Sequence, residues 1–444
     1  MSRAAKLARP LHCRMRRTHR LSIGVCSVVI VCLMLAATTS EARPERRGSP
    51  VTISLLANYV GQPGYKVVIA NFEKAYPDIK IDATYAASNP ILYQLLRTEL
   101  AAGSAPDYFV TYPGCGTPIS VCVLAKAGNL ASMGHKPWAL RRSVPVATAM
   151  DKYGKVLFAF TPIVSLYGVF TNDDLFKQLH LNVPQTFPQL LDVCRKAKAA
   201  GKAAIVLAGN SPTDVSSLLT GLAVPLVYAK DKKFLVKLKA GTVAFAGTPG
   251  WRQALQEFVD MNTAGCFQPG ATGTSGDGAA ALFAQGQGLM FPAITNMKGN
   301  VDEHKPQFRF SHHLFPGGTS PSQMRTYLHL SLSAGVNAHA SPEKQRAAQT
   351  FVDFFARTKQ NARFARVQGG MTQFQFLKQR LPDFMASESS AVKSGAYVIS
   401  PVETWWNEKV LLAMQQNQIG LITGQRSVDD VLKAMDTAWK LGPG

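Results

Sequence analysis

Between Val51 and Tyr112 the chain switches repeatedly between two hydrophobic periods, and that switching leaves few folds open. Val51–Tyr59 (VTISLLANY) is rich in β-branched and aliphatic residues, the pattern of a strand. Tyr65–Tyr76 then places Val68, Phe72 and Tyr76 at helical spacing and is stopped by Pro77. Ile79–Tyr85 (IKIDATY) reads as a second strand, Ile91–Ala102 as an amphipathic helix closed by Gly103, and Asp107–Tyr112 as a third strand. Strands joined through helices cannot pair as hairpins. They run parallel, and the helices cover both faces of the sheet.

The same grammar returns further on. Pro145–Tyr167 is turn-rich and extended, Asp173–Leu179 is a short helix, and Phe187–Ala200 is a longer helix ended by Gly201. Ala203–Ala208 is a buried strand and Trp251–Thr263 a helix. The glycine-rich GCFQPGATGTSGDG leads into a helix over 279–285 and a strand over 288–293. Tyr327–Val336 is strand-like, Ser341–Thr358 is a helix capped by Ser341 with Pro342 in its first position, and the tail is helical over 402–414 and 428–439. With 444 residues, two separate cores are expected rather than one. There is no internal sequence repeat.

The N-terminus follows different rules. Seven Lys and Arg fall between Arg3 and Arg20 without an acidic residue, followed by seventeen largely apolar residues, Leu21–Ala37, and then small residues around Ser40 and Ala42. This is the pattern of a signal peptide over 1–42, with a retained N-terminal anchor as the alternative. Arg16-Arg17 gives a weak hint of the twin-arginine route, and Cys26 and Cys32 lie in the apolar run without a convincing lipidation motif. An exported protein, in the periplasm or on the outer face of the cytoplasmic membrane, is expected. Beyond residue 40 no apolar run has spanning length.

Without those seven charges the formal net charge falls from +21 to +14. The basic residues are scattered through amphipathic helices and are not clustered with aromatics, so a solvated envelope surface is expected and nucleic acid is not. Outside the leader stand four cysteines, Cys115, Cys122, Cys194 and Cys266. An even number in an exported chain suggests disulfides. Cys115 and Cys122 bracket six residues and are expected to pair; the fate of the other two is left open. The absence of a Cys-x-x-Cys and of a nearby histidine argues against a metal site.

Catalytic motifs are lacking: no HExxH, no G-x-S-x-G elbow and no P-loop. Gly273–Gly278 (GTSGDG) reads as a loop ending at a helix cap, Ser275 or Asp277. His304, His312 and His313, near Asp302 and Glu303, fit no familiar metal spacing and are expected at the surface. A carboxylate pair of the glycosidase kind could come from distant positions, so a secreted carbohydrate-active enzyme remains the alternative class. A protein that recruits a partner without binding a small molecule is a third.

Five segments occur in a familiar order: FEKAYPDIKI at Phe72–Ile81, LLRTELAAGSAPDYFVTY at Leu95–Tyr112, YGVFTNDDLFKQLHLNVPQTFPQLLDVCRKAKAAG at Tyr167–Gly201, ALFAQGQGLMFPAITN at Ala281–Asn296, and the pair SPEKQRAAQTFVDFF with LITGQRSVDDVLKAMDTA at Leu421–Ala438. Through them the chain, from Val51 to Trp439, resembles the family 1 extracellular solute-binding proteins. The resemblance implies a two-lobed α/β fold of the periplasmic-binding-protein type (type II), with parallel-rich sheets flanked by helices and a cleft between the lobes. It implies one lobe over 50–163 and 328–368 and the other over 164–327 and 369–444. It also implies capture of a carbohydrate ligand for the permease subunits of an ABC-type importer, with amino sugars and oligosaccharides among the ligands, no catalysis, no cofactor, and a monomer. Glycerophosphodiesters are the alternative ligand. They are disfavoured because the relatives that bind them carry an acidic residue and a tyrosine where this chain has Pro113 and Gly370.

Ligands of open α/β sheets sit at the carboxyl ends of strands. The candidate ligand-binding residues are accordingly Asn58 and Tyr59 after the first strand, Asn89 after the second, Tyr112 after the third and Asn210 after 203–208. By the resemblance they also include Ser165, Thr295, Asn296, Ser331, Gly369 and Gly370. Trp405 and Trp406 complete the set. Amides can meet pairs of sugar hydroxyls, and an aromatic ring can stack on the apolar face of a pyranose.

Overall fold

The computed structural model describes residues 50–442 apart from 142–143 and 406. The leader expected over 1–42 and the candidate Trp406 lie outside the described residues. Among the described residues no helix is long and apolar enough to cross a membrane.

The opening alternation folds as its spacing predicts. Strand β1 (Val51–Asn58), helix α1 (Gln62–Ala75), strand β2 (Ile79–Ala86), helix α2 (Asn89–Ala101) and strand β3 (Tyr108–Val110) follow in order. Both β2 and β3 pair parallel to β1. Ser88 caps α2 by accepting from the Ile91 N–H. The first sheet has the order β2, β1, β3, then Ala334–Val336 and Ala159–Phe160; Ala334–Val336 is antiparallel to both its neighbours, so Ala159–Phe160 runs in the same direction as β3. Its core gathers Ile53, Leu55, Val68, Phe72, Tyr108, Phe351 and Phe355. Burying one such phenylalanine contributes about 2–3 kcal/mol.

A second sheet is organised around a ten-residue strand, Ile163–Asn172, buried along its whole length. Gly288–Ile294 and Thr326–Ser331 pair antiparallel to it, while Ala203–Ile205 and Tyr397–Ile399 run parallel to those neighbours. Both sheets are therefore mixed. The second core holds Tyr167, Leu222, Trp251, Phe258, Trp405 and Met435.

Among the departures from the pattern read in the sequence, which include a helix at Pro145–Met150, two bear on the site. Tyr327–Val336, expected as one strand, is two: Thr326–Ser331 belongs to the second sheet and Ala334–Val336 to the first. Leu332 turns the chain between them with φ of 58°, a conformation that costs a side-chain-bearing residue about 1–2 kcal/mol. The helix Pro212–Ala223 had no counterpart in the sequence reading. It buries Val215, Leu218, Leu219, Leu222 and also Ser216 and Thr220, and a helix enclosed on nearly all sides shows no apolar stripe. His312, expected at the surface, is instead fully buried, with Nδ1 3.0 Å from Glu388 Oε1 and Nε2 3.1 Å from the Ala293 carbonyl oxygen.

Where the chain passes between sheets, one carboxylate holds two of the passages. Asp151 accepts from the Thr161 N–H (3.0 Å), the Thr161 hydroxyl (2.9 Å) and the Ser333 hydroxyl (2.8 Å). Thr161 precedes the long central strand, and Ser333 lies between Thr326–Ser331 and Ala334–Val336. Gln373, at the third passage, donates to the Thr161 carbonyl oxygen at 2.6 Å.

Cys115 and Cys122 form a disulfide, as their spacing suggested, and Cys194 is bonded to Cys266 across 72 positions of sequence. Closing a loop of the second length removes unfolded-chain entropy worth about 4 kcal/mol. Alkylation of the protein without reductant should therefore leave Cys115, Cys122, Cys194 and Cys266 unmodified by intact mass. Reduction should lower its melting temperature. A mass showing alkylation at any of the four would contradict the pairing.

Candidate functional site

A buried cavity of about 90 Å³ opens between the two sheets. That is far below the roughly 300–1,000 Å³ of ordinary small-molecule pockets, so the walls must part to admit a ligand. The first sheet's side contributes Asn58, at the carboxyl end of β1, and Asn89 and Tyr93 of α2. Tyr112 and Thr117, beyond β3, complete that side. From the other side come Thr213, Asp214, Ser216, Ser217 and Thr220 on the enclosed helix, Pro292–Ile294 and Asn296 at the end of a strand, and Tyr327, His329 and Ser331 along another. Ser400, Val402, Glu403 and Gln415 close it from the tail.

Hydrogen bonds fix much of this wall. Asn58 donates to Asn89 Oδ1 at 2.8 Å, and its own Oδ1 accepts from the Gly61 N–H at 3.3 Å. The rings of Tyr93 and Tyr112 meet edge to face at 5.8 Å, and burial pushes the Tyr112 phenol well above its ordinary value, so it stays a neutral donor. Tyr327 stacks on Tyr167 at 4.9 Å. His329 Nδ1 lies 2.5 Å from Glu403 Oε1, which also accepts from the Leu330 N–H at 3.0 Å. Burial raises the Glu403 carboxyl, and the charge and hydrogen bond of His329 oppose that rise. Burial likewise pushes Asp214 up to about 6, against a hydrogen bond from Ser211.

Of the residues singled out in the sequence, Asn58, Asn89, Tyr112, Asn296 and Ser331 are brought together at this cavity. Tyr59 lies beside it. A Cβ on Gly276 would fall 2.0 Å from the Tyr59 hydroxyl and 2.8 Å from Asp214 Oδ2, so those two oxygens flank that glycine. Ser165 and Thr295 stand one layer behind the wall: Ser165 accepts from Ser331 Oγ at 3.1 Å, and Thr295 accepts from the Leu166 N–H at 3.3 Å. Asn210 is exposed and does not line the cavity. Gly369 ends a helix with φ of 75°, and a Cβ on Gly370 would meet Ile163 at 2.7 Å, so neither glycine opens space at the cavity. Trp405 does not reach it either. Its ring packs against Phe245 and Trp251 in the second core, and its Nε1 donates to the Tyr228 hydroxyl at 3.3 Å.

The residues missed in the sequence are those of the enclosed helix, together with Tyr327, His329 and Glu403. One signal could have found the helix. Thr213, Ser216, Ser217 and Thr220 recur at spacings of three and four, a polar stripe on an otherwise apolar helix. Nothing local marks Glu403, whose role depends on a strand far away in sequence.

Two mixed sheets with separate cores, facing a common buried polar cavity, define a binding protein of the type II architecture. The profile of the bacterial extracellular solute-binding protein family matches residues 58–362, and the chain belongs to that family. It is similar to the multiple sugar-binding protein of Streptococcus mutans serotype c, with 21% identity over 357 residues, covering 78% of this chain and 81% of that protein. Among solved structures it is similar to a sugar transporter of Bacillus licheniformis in complex with stachyose (TM-score 0.71, 16% identity, 88% of this chain and 100% of that one). It is also similar to maltose-bound MalE3 of T. maritima (TM-score 0.70, 17% identity, 88% and 99%). At these identities the structural likeness establishes the fold.

Proposed function

We propose that this chain is the extracytoplasmic capture subunit of an ABC-type carbohydrate importer. It binds a sugar between two lobes, delivers it to the permease subunits, and catalyses no reaction. The observation that carries this reading is the cavity itself, with amide, hydroxyl and carboxylate groups converging from both sheets on a space too small to fill without opening. The names of the relatives, a multiple sugar-binding protein and proteins holding stachyose or maltose, favour a carbohydrate. Against a glycerophosphodiester, no lysine or arginine is among the described residues that line the cavity, and a buried phosphate without a cation partner is costly.

The lobes follow the two sheets: 50–163 with the strand Ala334–Val336 and the helices to Gln368, and the remainder of the described chain. That Thr326–Ser331 and Ala334–Val336 belong to different sheets supports a second passage a few residues beyond Leu328. Asn58, Asn89 and Tyr112 hold the ligand from one lobe, Asn296, Ser331 and Glu403 from the other. The chain works as a monomer outside the cytoplasmic membrane.

A ligand that contacts both lobes favours the closed arrangement by its differential affinity. Titration with a panel of mono- and oligosaccharides should raise the melting temperature for at least one, and small-angle scattering should show compaction with that sugar. Asn296→Ala, removing a side chain that is 1% exposed, should weaken binding by about 1–3 kcal/mol and reduce the compaction at equal ligand concentration. Turnover of an oligosaccharide, or superimposable scattering curves at saturation, would overturn the reading.

A further inference from the structure

The most exposed large hydrophobic side chains among the described residues are Val236 and Leu441, 68% and 66% open to solvent. Val236 stands on the helix Phe234–Lys239, whose Phe234 and Leu238 are buried in the second core. Leu441 follows the last turn of the helix Val428–Lys440, where Trp439 is packed into the same core. Residues two apart on a helix point to nearly opposite sides, so Val236 and Leu441 both face outward. Trp439 Nε1 donates to the Leu238 carbonyl oxygen at 3.0 Å, which ties the end of one helix to the other.

Lysines surround this pair. Lys230, Lys232, Lys233, Lys237 and Lys239 fall within ten residues and all are exposed, as is Lys440 beside Leu441. Against them stands Asp231, paired with Lys237 at 2.8 Å. The Asp436 carboxylate is turned to the Phe245 and Ala246 N–H groups. Lys232 also borders a groove of about 940 Å³ shared with Arg325, and no acidic side chain is among the described residues that line it. An ordinary solvated face has no use for two aliphatic tips among its lysines. An anionic bilayer fits both: its phosphates meet the ammonium groups while the tips enter the boundary between headgroups and acyl chains. A second copy of the chain would bring like charge to the same place, and a soluble acidic polymer would leave the tips in water.

We propose that this pole of the second lobe binds reversibly to an anionic membrane surface. The enclosed helix Pro212–Ala223 continues through Val224–Tyr228, from Thr213 at the cavity wall to the start of the lysine segment. At about 1.5 Å per residue that path is roughly 20 Å or more. Docking by this face therefore leaves the cavity clear of the bilayer and open to solute, while it raises the concentration of the protein beside the membrane. The proposal shares with the capture reading only the location outside the cytoplasmic membrane.

Vesicle flotation tests this with the chain from Arg47 onward, whose described fold lies wholly within 50–442, so that the apolar leader contributes nothing. Vesicles of phosphatidylcholine mixed with phosphatidylglycerol should carry the protein at low salt. Phosphatidylcholine alone should carry at least tenfold less, and about 0.5 M salt should release what is bound. Lys232→Glu combined with Lys233→Glu should lower the partition at least tenfold, and Val236→Ser combined with Leu441→Ser about fivefold. Lys359→Glu combined with Arg366→Glu, at exposed positions of the first lobe, makes the same change in net charge and should leave the partition within about threefold. All six positions are exposed, so unchanged melting temperatures should show that the variants fold. Equal binding to both kinds of vesicle, or equal loss from the two charge reversals, would overturn the proposal. An undiminished partition after the serine substitutions would overturn it too, and would mark an acidic polymer as the partner chemistry. Each of these outcomes leaves sugar capture untouched.

Discussion

Gly116→Ala should lower ligand affinity at least tenfold while the protein stays folded. Gly116 lies in the loop closed by the Cys115–Cys122 disulfide, and a Cβ there would stand 1.6 Å from the Val402 carbonyl oxygen. A side-chain tip could swing aside, but a backbone carbonyl cannot, so the segment bearing Val402 must retreat by about 1.5 Å to reach ordinary contact. That segment supplies Ser400, Val402 and Glu403 to the cavity. Holding it back keeps the walls apart and removes ligand contacts made only when they close. Gly273→Ala is the matched control, since a Cβ there meets nothing within 4 Å. Affinity within twofold of the unaltered protein for Gly116→Ala would show that the disulfide loop does not set the closed position.

The unliganded protein should lose stability as pH rises from 5 to 8, with Asp151 the largest contributor. Burial pushes the Asp151 carboxyl up to about 7, and the hydrogen bonds from Ser333 and Thr161 only partly oppose it. Its folded value lies above the unfolded value of 3.8, so between the two the native state binds more protons than the unfolded chain. Stability is then greatest on the acid side and declines as pH climbs through that interval. For a group held at about 7 the loss between pH 5 and pH 8 is about 3 kcal/mol. Asp214, raised to about 6, and Glu257, raised to about 7, act in the same direction. Denaturant midpoints at pH 5, 6.5 and 8 measure the effect. Asp151→Asn, which cannot titrate, should flatten the curve, and parallel curves for the two proteins would refute the assignment. Asp151→Ala should cost about 3–5 kcal/mol at pH 5, because it leaves Thr161 and Ser333 donors buried without an acceptor, and less at pH 8, because it too removes the titrating group.

Much was legible locally. The strand and helix alternation over Val51–Tyr112, the caps at Ser275 and Ser341, and the Cys115–Cys122 pairing all follow from residues within a few positions of one another. Period, capping and short-loop closure are near-neighbour effects, so the sequence carries them directly. Asn58, Asn89 and Tyr112 were legible for a related reason, because the carboxyl end of a parallel strand follows once the strand is known.

The rest depended on what each segment packs against. Nothing in the apolar run Tyr327–Val336 says that Leu332 turns it from one sheet to the other; that is decided by which central strand offers free hydrogen-bonding groups on each side of the turn. Trp405 reads as a stacking platform until Phe245 and Trp251 bury it, and the isolated Glu403 has no meaning until the chain fold brings His329 to 2.5 Å. Local sequence thus determined the elements, their caps and one face of the cleft. Tertiary structure alone decided the charged wall opposite, because a buried carboxylate acquires its chemistry from burial and from partners that lie far away along the chain.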